Sequence, residues 1–324
     1  MGDPHLSVDC GSLIKEVPSH GLIWVDGVLY VIMHDASFNR TYQQVCSING
    51  ELLIDIIKRY DTLYAKATCL MRQDFLIDDY ISGKFTHNQY IVIESIDEQG
   101  FACKHKVQTI NVSKINKPPT HSALPCHPGK SFHISDKIQY VKISSFSTLP
   151  HIELDYHAEA LVIDLRNNPG GIVENATACI SHFLRMPLMV KEYCLMTKNE
   201  VKSLRVEGRK EGGHANKRMY VLINEHTMSS AEYVFALIAK CYLGATLVGC
   251  QSAGISGQAQ MFTINKAIPL KITATKYIGS DMRELRVGVM PDIVVLRDIE
   301  ALRMNEDKQL AYLTSLLYDE SGEG

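Results

Sequence analysis

Twice in its second half this chain runs from an apolar strand into a tight turn and on into a helical pattern, and that order of events confines it to an α/β layer. The first passage is Ala160-Leu161-Val162-Ile163-Asp164, then Leu165-Arg166-Asn167-Asn168-Pro169-Gly170-Gly171, then helical spacing to about Leu184. The second is Met219-Tyr220-Val221-Leu222-Ile223, then Asn224-Glu225-His226-Thr227-Met228-Ser229-Ser230-Ala231-Glu232. There Ala231, Val234, Phe235 and Ile238 fall at the spacing of a helix. Strands alternating with helices argue a layered sheet with parallel pairing.

Each turn has a chemical reading and a plain one. A serine between strand and helix can stand exposed, and the first amides of the helix lack intrahelical partners. Ser229 is so placed. Its hydroxyl can attack a carbonyl while free amides receive the oxyanion. Equally, Ser229 or Ser230 can simply cap the helix. Gly170 and Gly171, after Pro169, allow a tight turn and close approach of backbone to a bound group. Their amides can form half of an oxyanion hole, or the stretch can be an ordinary strand-to-helix loop.

Four segments in order carry a family resemblance. They are Asp164 to Gly171, Thr227-Met228-Ser229-Ser230-Ala231-Glu232, Thr246-Leu247-Val248-Gly249 and Gly288-Val289-Met290-Pro291-Asp292-Ile293. The set resembles the S41 serine peptidases, which include the C-terminal processing and tail-specific proteases, the tricorn core protease and the chlamydial protease-like factor. The likeness covers about residues 138 to 296, with Lys137 to Phe146 similar to the family's first core strand. It implies a mixed α/β (α+β overall) chain, with a ClpP/crotonase-like catalytic core and a PDZ-like N-terminal module. It also implies a serine endopeptidase acting on a peptide or protein substrate through an acyl-enzyme, with no cofactor and no metal.

The same resemblance implies who does the chemistry. The tail-specific branch uses a lysine in a glycine-flanked turn after the serine. Here that turn is Gln251-Ser252-Ala253-Gly254-Ile255-Ser256-Gly257, with Ile255 where the lysine would stand. The Ser-Lys mechanism is therefore not expected. The other branch uses a histidine ahead of the PDZ-like hairpin, preceded by an aspartate. Gly2-Asp3-Pro4-His5-Leu6 fills that place, so His5 is the expected base, with His226 and His34 as alternatives. Glu284, just before Gly288-Val289-Met290, is the expected orienter, with Asp281 open. The oxyanion hole combines the amide of Ser230 with that of Gly170 or Gly171. Glu232 is expected to support the first helical turn through the helix dipole, and Arg166 to brace the Pro-Gly-Gly loop. A carrier on the same fold, as in the retinoid-binding relatives, and an esterase-like hydrolase are the rival readings.

Bulk properties set outer bounds. A length of 324 residues suggests about two domains, and 46% hydrophobic with 21% charged is ordinary globular composition. A net charge of -3 gives no reason to expect nucleic acid or an anionic membrane as partner. No apolar run approaches membrane-spanning length, and the start shows no signal-peptide pattern. The 9 cysteines are scattered without a CxxC, which reads as reduced thiols in a cytoplasmic protein. Neither HExxH nor ligand spacing among the 13 histidines points to a metal. Residues 1–116 form an N-terminal region, with a hairpin signal at Asp26-Gly27 and strand, turn and short helix over Val45 to Ile57. Residues 60–82 read as helical and 84–112 as strands. A Pro-, His- and Ser-rich linker spans 117–131, and 132–324 form the catalytic domain.

Overall fold

The computed structural model describes residues 7–8, 16–18, 21–34, 39–60, 76–77, 80–81, 90–111, 131–155, 157–194, 200–209, 217–255, 257, 259–264, 268–277 and 288–321. His5, Asp281 and Glu284 lie outside the described residues, as does nearly all of the expected linker.

The first half holds β1 (Ser7–Val8), β2 (Glu16–Pro18), β3 (Leu22–Val25), β4 (Val28–His34), β5 (Arg40–Ile48), β6 (Glu51–Leu52), α1 (Leu53–Tyr60), β7 (Tyr90–Ile96) and β8 (Ala102–Asn111). An antiparallel sheet runs β2-β8-β7-β5-β4-β3, with β6 paired to β5. The Asp26-Gly27 hairpin forms as its sequence demands. Val25 faces Val28, and the two turn residues take φ of 49° and 77°, the left-handed pair of a type I′ turn. One face of the sheet carries Leu29, Val31, Ile91 and Val107, packed with Ile56 of α1 and with Leu76, Ile77, Tyr80 and Ile81. Those last four, with Tyr60 at the end of α1, are the described helical part of the stretch expected over 60–82. The opposite face carries Ile23, Val25, Ile32 and Tyr42, packed against Leu302 from the second half.

The second half holds β9 (Ser131–Ser135), β10 (Ile138–Lys142), β11 (Ala160–Asp164), α2 (Val173–Ile180), β12 (Leu188–Cys194), β13 (Glu200–Val206), β14 (Arg218–Ile223), α3 (Leu237–Leu243), β15 (Thr246–Gly249), β16 (Ala259–Ile264), β17 (Ile268–Thr273), β18 (Thr275–Tyr277), β19 (Ile293–Val294), α4 (Ile299–Arg303) and α5 (Lys308–Ser321). The central sheet runs β19-β15-β14-β11-β10-β9, parallel from β10 to β19, with β9 antiparallel at one edge. Its inner strands β11 and β14 are apolar along nearly their whole length because both faces are covered. Leu161, Ile163, Val221 and Ile223 meet Cys179 and Ile180 of α2 and Leu237 and Ile238 of α3. Tyr140, Val162, Leu222 and Val248 meet Leu310, Leu313 and Leu317 of α5. Truncating one such leucine to alanine costs about 2–5 kcal/mol.

Register fixes the two turns side by side. Asp164 pairs with Leu222, so β11 and its neighbour β14 end within a residue or two of each other. Both expected chemical loops thus leave the carboxyl edge of adjacent parallel strands, where α/β folds keep their binding crevices. Among the described residues no helix is long and apolar enough to cross a membrane.

Candidate active site

Ser229 adopts φ 52° and ψ -126° at the start of a π-helical turn, Ser230–Ala236, that runs into α3. A serine at positive φ is strained by about 1–3 kcal/mol, and such strain persists only where its surroundings dictate it. They do so here. The Ser229 amide donates to the carbonyl of Ile255 at 3.1 Å and to Oε1 of Glu232 at 3.1 Å. The amide of Met228 donates to the carbonyl of Asn168 at 2.9 Å, and that of Ala253 to the carbonyl of Thr227 at 3.1 Å. Behind the turn, the Thr227 hydroxyl accepts from the Asn224 amide and donates to the carbonyl of Leu165, both at 3.0 Å. Asn224 and Asn167 bond each other reciprocally, at 2.8 and 2.9 Å.

The Pro-Gly-Gly loop lies directly against this turn. A Cβ on Gly170 would stand 2.7 Å from Cβ of Ser229 and 2.9 Å from the nitrogen of Ser230. A Cβ on Gly171, at φ 138°, would stand 2.4 Å from the backbone of Phe146 and Ser147. Only glycines allow both approaches. The Gly170 amide donates to Oδ1 of Asn168 at 2.8 Å, which takes it out of contention as an oxyanion donor. The amides of Gly171 and Ser230 donate to no group among the described residues. Of the two glycines the sequence left open, Gly171 is the one with a donor to offer.

Two carboxylates are buried here. Glu232 accepts from the amides of Ser229 and Gly254 (2.9 Å) and from the hydroxyl of Ser252 (2.6 Å). Burial outweighs these donors and pushes its pKa up to about 7. Asp164 is buried at the end of β11 beside Arg166 (2.7 Å) and Lys142 (3.0 Å). Burial works to raise it, but the two cations hold it well below the usual carboxylate range. The expected bracing by Arg166 is redirected. Its guanidinium turns away from the Pro-Gly-Gly loop to Asp164 and forks onto Asp307, at 2.6 and 2.7 Å, just before α5. The loop is braced instead by Asn168, which also donates to the carbonyl of Ile143 at 2.8 Å.

His226 is buried, 3.7 Å from Glu225, and Glu225 forms an ion pair with Arg297. His34 is exposed at the end of β4. Ile255 is 7% exposed and packs with Ala253 and Met228. Sequence reasoning gave Glu232 only a dipole role and missed Ser252, Asn168 and Asn224. The one available signal was position, Asn168 and Asn224 in the two strand-to-helix turns and Ser252 in the glycine-flanked turn, since short polar side chains bond nearby backbone. Among the described residues no group of three or more His, Cys, Asp or Glu is placed to hold a metal ion.

Residues 137–295 match the model of Peptidase family S41. A carboxyl-terminal-processing protease of Synechocystis sp. (strain ATCC 27184 / PCC 6803 / Kazusa) is 25% identical over 177 residues, 52% of this chain and 39% of that protein. One from Picosynechococcus sp. (strain ATCC 27264 / PCC 7002 / PR-6) is 24% identical over 223 residues, 65% of this chain and 52% of that protein. The chain thus spans about half or less of these relatives. Among solved structures, mature CPAF complexed with lactacystin matches with a TM-score of 0.66 at 14% identity, covering 97% of this chain and 85% of that chain. At that identity the likeness shows the fold alone, a mixed α/β fold.

Proposed function

We propose that the protein is a serine endopeptidase that hydrolyses peptide bonds through an acyl-enzyme on Ser229. The observation that carries the reading is the pairing of a strained serine, at φ 52°, with two uncommitted amides beside it, those of Gly171 and Ser230. Attack by the Ser229 oxygen puts negative charge on the carbonyl oxygen. Amides already fixed in place stabilise that charge without reorganising, and one such donor is worth about 2.7–4 kcal/mol.

A hydroxyl also needs a base, which His5 supplies in this reading, with Glu284 orienting it. His5 takes the serine proton and returns it to the leaving amine. Support for His5 comes from β1, which begins two residues later and pairs with β17, Ser7 opposite Lys271. The end of β17 lies against Gly257, where an added Cβ would stand 2.9 Å from Thr273. Gly257 closes the loop whose Ile255 carbonyl receives the Ser229 amide. Support for Glu284 comes from the segment right after it. Val289 and Ser252 bond each other, at 2.7 and 3.1 Å, in that same loop. The first half, in this reading a PDZ-like module, would hold a substrate terminus.

A serine-reactive phosphonate tests the proposal. The parent labels at Ser229 and hydrolyses a peptide library, and Ser229→Ala does neither while melting within a few degrees of the parent. Labelling that persists in Ser229→Ala moves the nucleophile elsewhere, to Ser230 first. A folded parent that neither labels nor cleaves is a carrier and not a peptidase.

A further inference from the structure

Glu232 does more than cap a helix. It is buried on the face of the turn away from solvent, and it collects donors from two different segments. Oε1 takes the Ser229 amide; Oε2 takes the Ser252 hydroxyl and the Gly254 amide. The Ser252 oxygen in turn accepts the amide of Val289 at 2.7 Å. Gly288 sits so close that a Cβ there would stand 2.4 Å from the carbonyl of Ser252. One carboxylate and one hydroxyl therefore join three separate stretches: the turn of Ser229, the 252–254 loop and the 288–289 loop.

We propose that Glu232 and Ser252 are the positioning pair of this site, with ionised Glu232 holding Ser229 in its strained conformation and Ser252 carrying that hold to the 288–289 loop. The inference rests on Ser229 being the nucleophile. Neither residue touches the substrate; they act through Ser229 and through the segment that leads out of the Glu284 stretch.

The pair works only while Glu232 is ionised. Among the described residues, every group that hydrogen-bonds it is a donor: the Ser229 amide from the turn, and the Ser252 hydroxyl with the amides of Gly254 and Ile255 from the loop. A proton on the carboxyl turns one acceptor into a donor. Amides cannot receive it, and the Ser252 hydroxyl, which donates to Oε2, must give up that bond and turn its proton elsewhere before it can accept one. Among the described residues no charged side chain hydrogen-bonds or ion-pairs with Glu232. The charges on the adjoining elements, Glu225 and Arg297, pair with each other. Burial without a cation also places the titration of Glu232 near neutrality.

The test is the acid limb of kcat/KM for a chromogenic peptide, in the parent, Glu232→Gln and Ser252→Ala. Two groups must lose a proton in the parent, the base and Glu232, so activity falls about 100-fold per pH unit at the acid end. Glu232→Gln is expected to lose about 10–100-fold in kcat with KM little changed, as for a nucleophile displaced by a fraction of an ångström. Its acid limb falls only about tenfold per unit. Ser252→Ala removes a donor that lowers the pKa of Glu232, so its limb moves to higher pH. A parent limb of about tenfold per unit, kept unchanged in Glu232→Gln, overturns the proposal while leaving the peptidase reading intact. If the parent does not label at Ser229, that reading fails instead. The hold is then read from amide hydrogen exchange at Ser229 and Gly254. Beyond the intrinsic pH dependence, it quickens as Glu232 takes up its proton in the parent and not in Glu232→Gln. Exchange that ignores that titration also overturns the proposal.

Discussion

Asp164 and Glu232 are both buried carboxylates at the carboxyl edge of the central sheet, and they are accommodated by opposite means. Asp164 ends β11 in contact with Arg166, Lys142 and the Tyr140 hydroxyl. Glu232 lies in the turn after β14 and, among the described residues, is met by a hydroxyl and backbone amides alone. Dipoles recover part of the lost solvation of a carboxylate; cations in contact recover far more. Asp164 is accordingly held below the usual range and Glu232 is raised to about 7. Two charges of equal burial thus divide the work. One fixes the frame at any neutral pH, and the other sits near the balance point beside Ser229.

The largest effect that distinguishes them is expected from Arg166→Met. It leaves Asp164 and Asp307 facing each other without their shared cation. Breaking a buried pair on one side costs about 3–5 kcal/mol, to be read as a lowered urea midpoint. Glu232→Gln removes a charge that no cation balances and disturbs hydrogen bonds only, so about 1–2 kcal/mol is expected. Equal losses in the two variants would break the comparison, because Arg166 would then be no more structural than Glu232.

A smaller effect tests the loops that the two carboxylates support. Both glycines have positive φ; Gly171→Ala drives a Cβ to 2.4 Å from the backbone of Phe146 and Ser147, whereas Gly170→Ala meets the turn of Ser229 itself, at 2.7 Å from the Met228 carbonyl and 2.9 Å from the Ser230 nitrogen. Gly171→Ala is expected to lose about 1–3 kcal/mol of stability. Gly170→Ala is expected to lose phosphonate labelling more than stability, because the strained turn moves first. Thermal melts alongside labelling rates separate them. The contrast fails if Gly170→Ala labels at the parental rate.

How much of this was legible beforehand depended on the range of the interaction. The hairpin at Asp26-Gly27, the apolar strands β11 and β14, and the serine at a strand-to-helix junction are local, and local patterning determines them. The direction of Arg166 was not legible. Its partner Asp307 is 141 residues away, and nothing near Arg166 announces it. Gly170 and Gly171 looked equivalent as donors because their difference lies in Asn168 folding back to take one amide. Glu232 read as a helix-dipole residue because its nearest neighbours are helical; its link to Ser252 and Gly254 exists only once the later loop packs back.

The smallest effect is also the sharpest, because it needs no substrate. The pKa of Glu232 lies above its ordinary value in the folded chain, at about 7 against 4.5. The native state therefore holds this proton more tightly than the unfolded chain does. The resulting stabilisation is complete below about 4.5 and disappears as pH rises through about 7. Asp164 has the opposite sign: its stabilisation is present at neutral pH and is lost only as acid approaches its depressed pKa. Over pH 4.5 to 8, then, Asp164 contributes an almost constant amount while the contribution of Glu232 fades. The melting temperature of the parent minus that of Glu232→Gln should fall by a few degrees across that window. A difference that stays flat, or that grows with pH, would mean Glu232 is ionised as readily as an exposed glutamate, and its burial among neutral donors would have no consequence for the serine it holds.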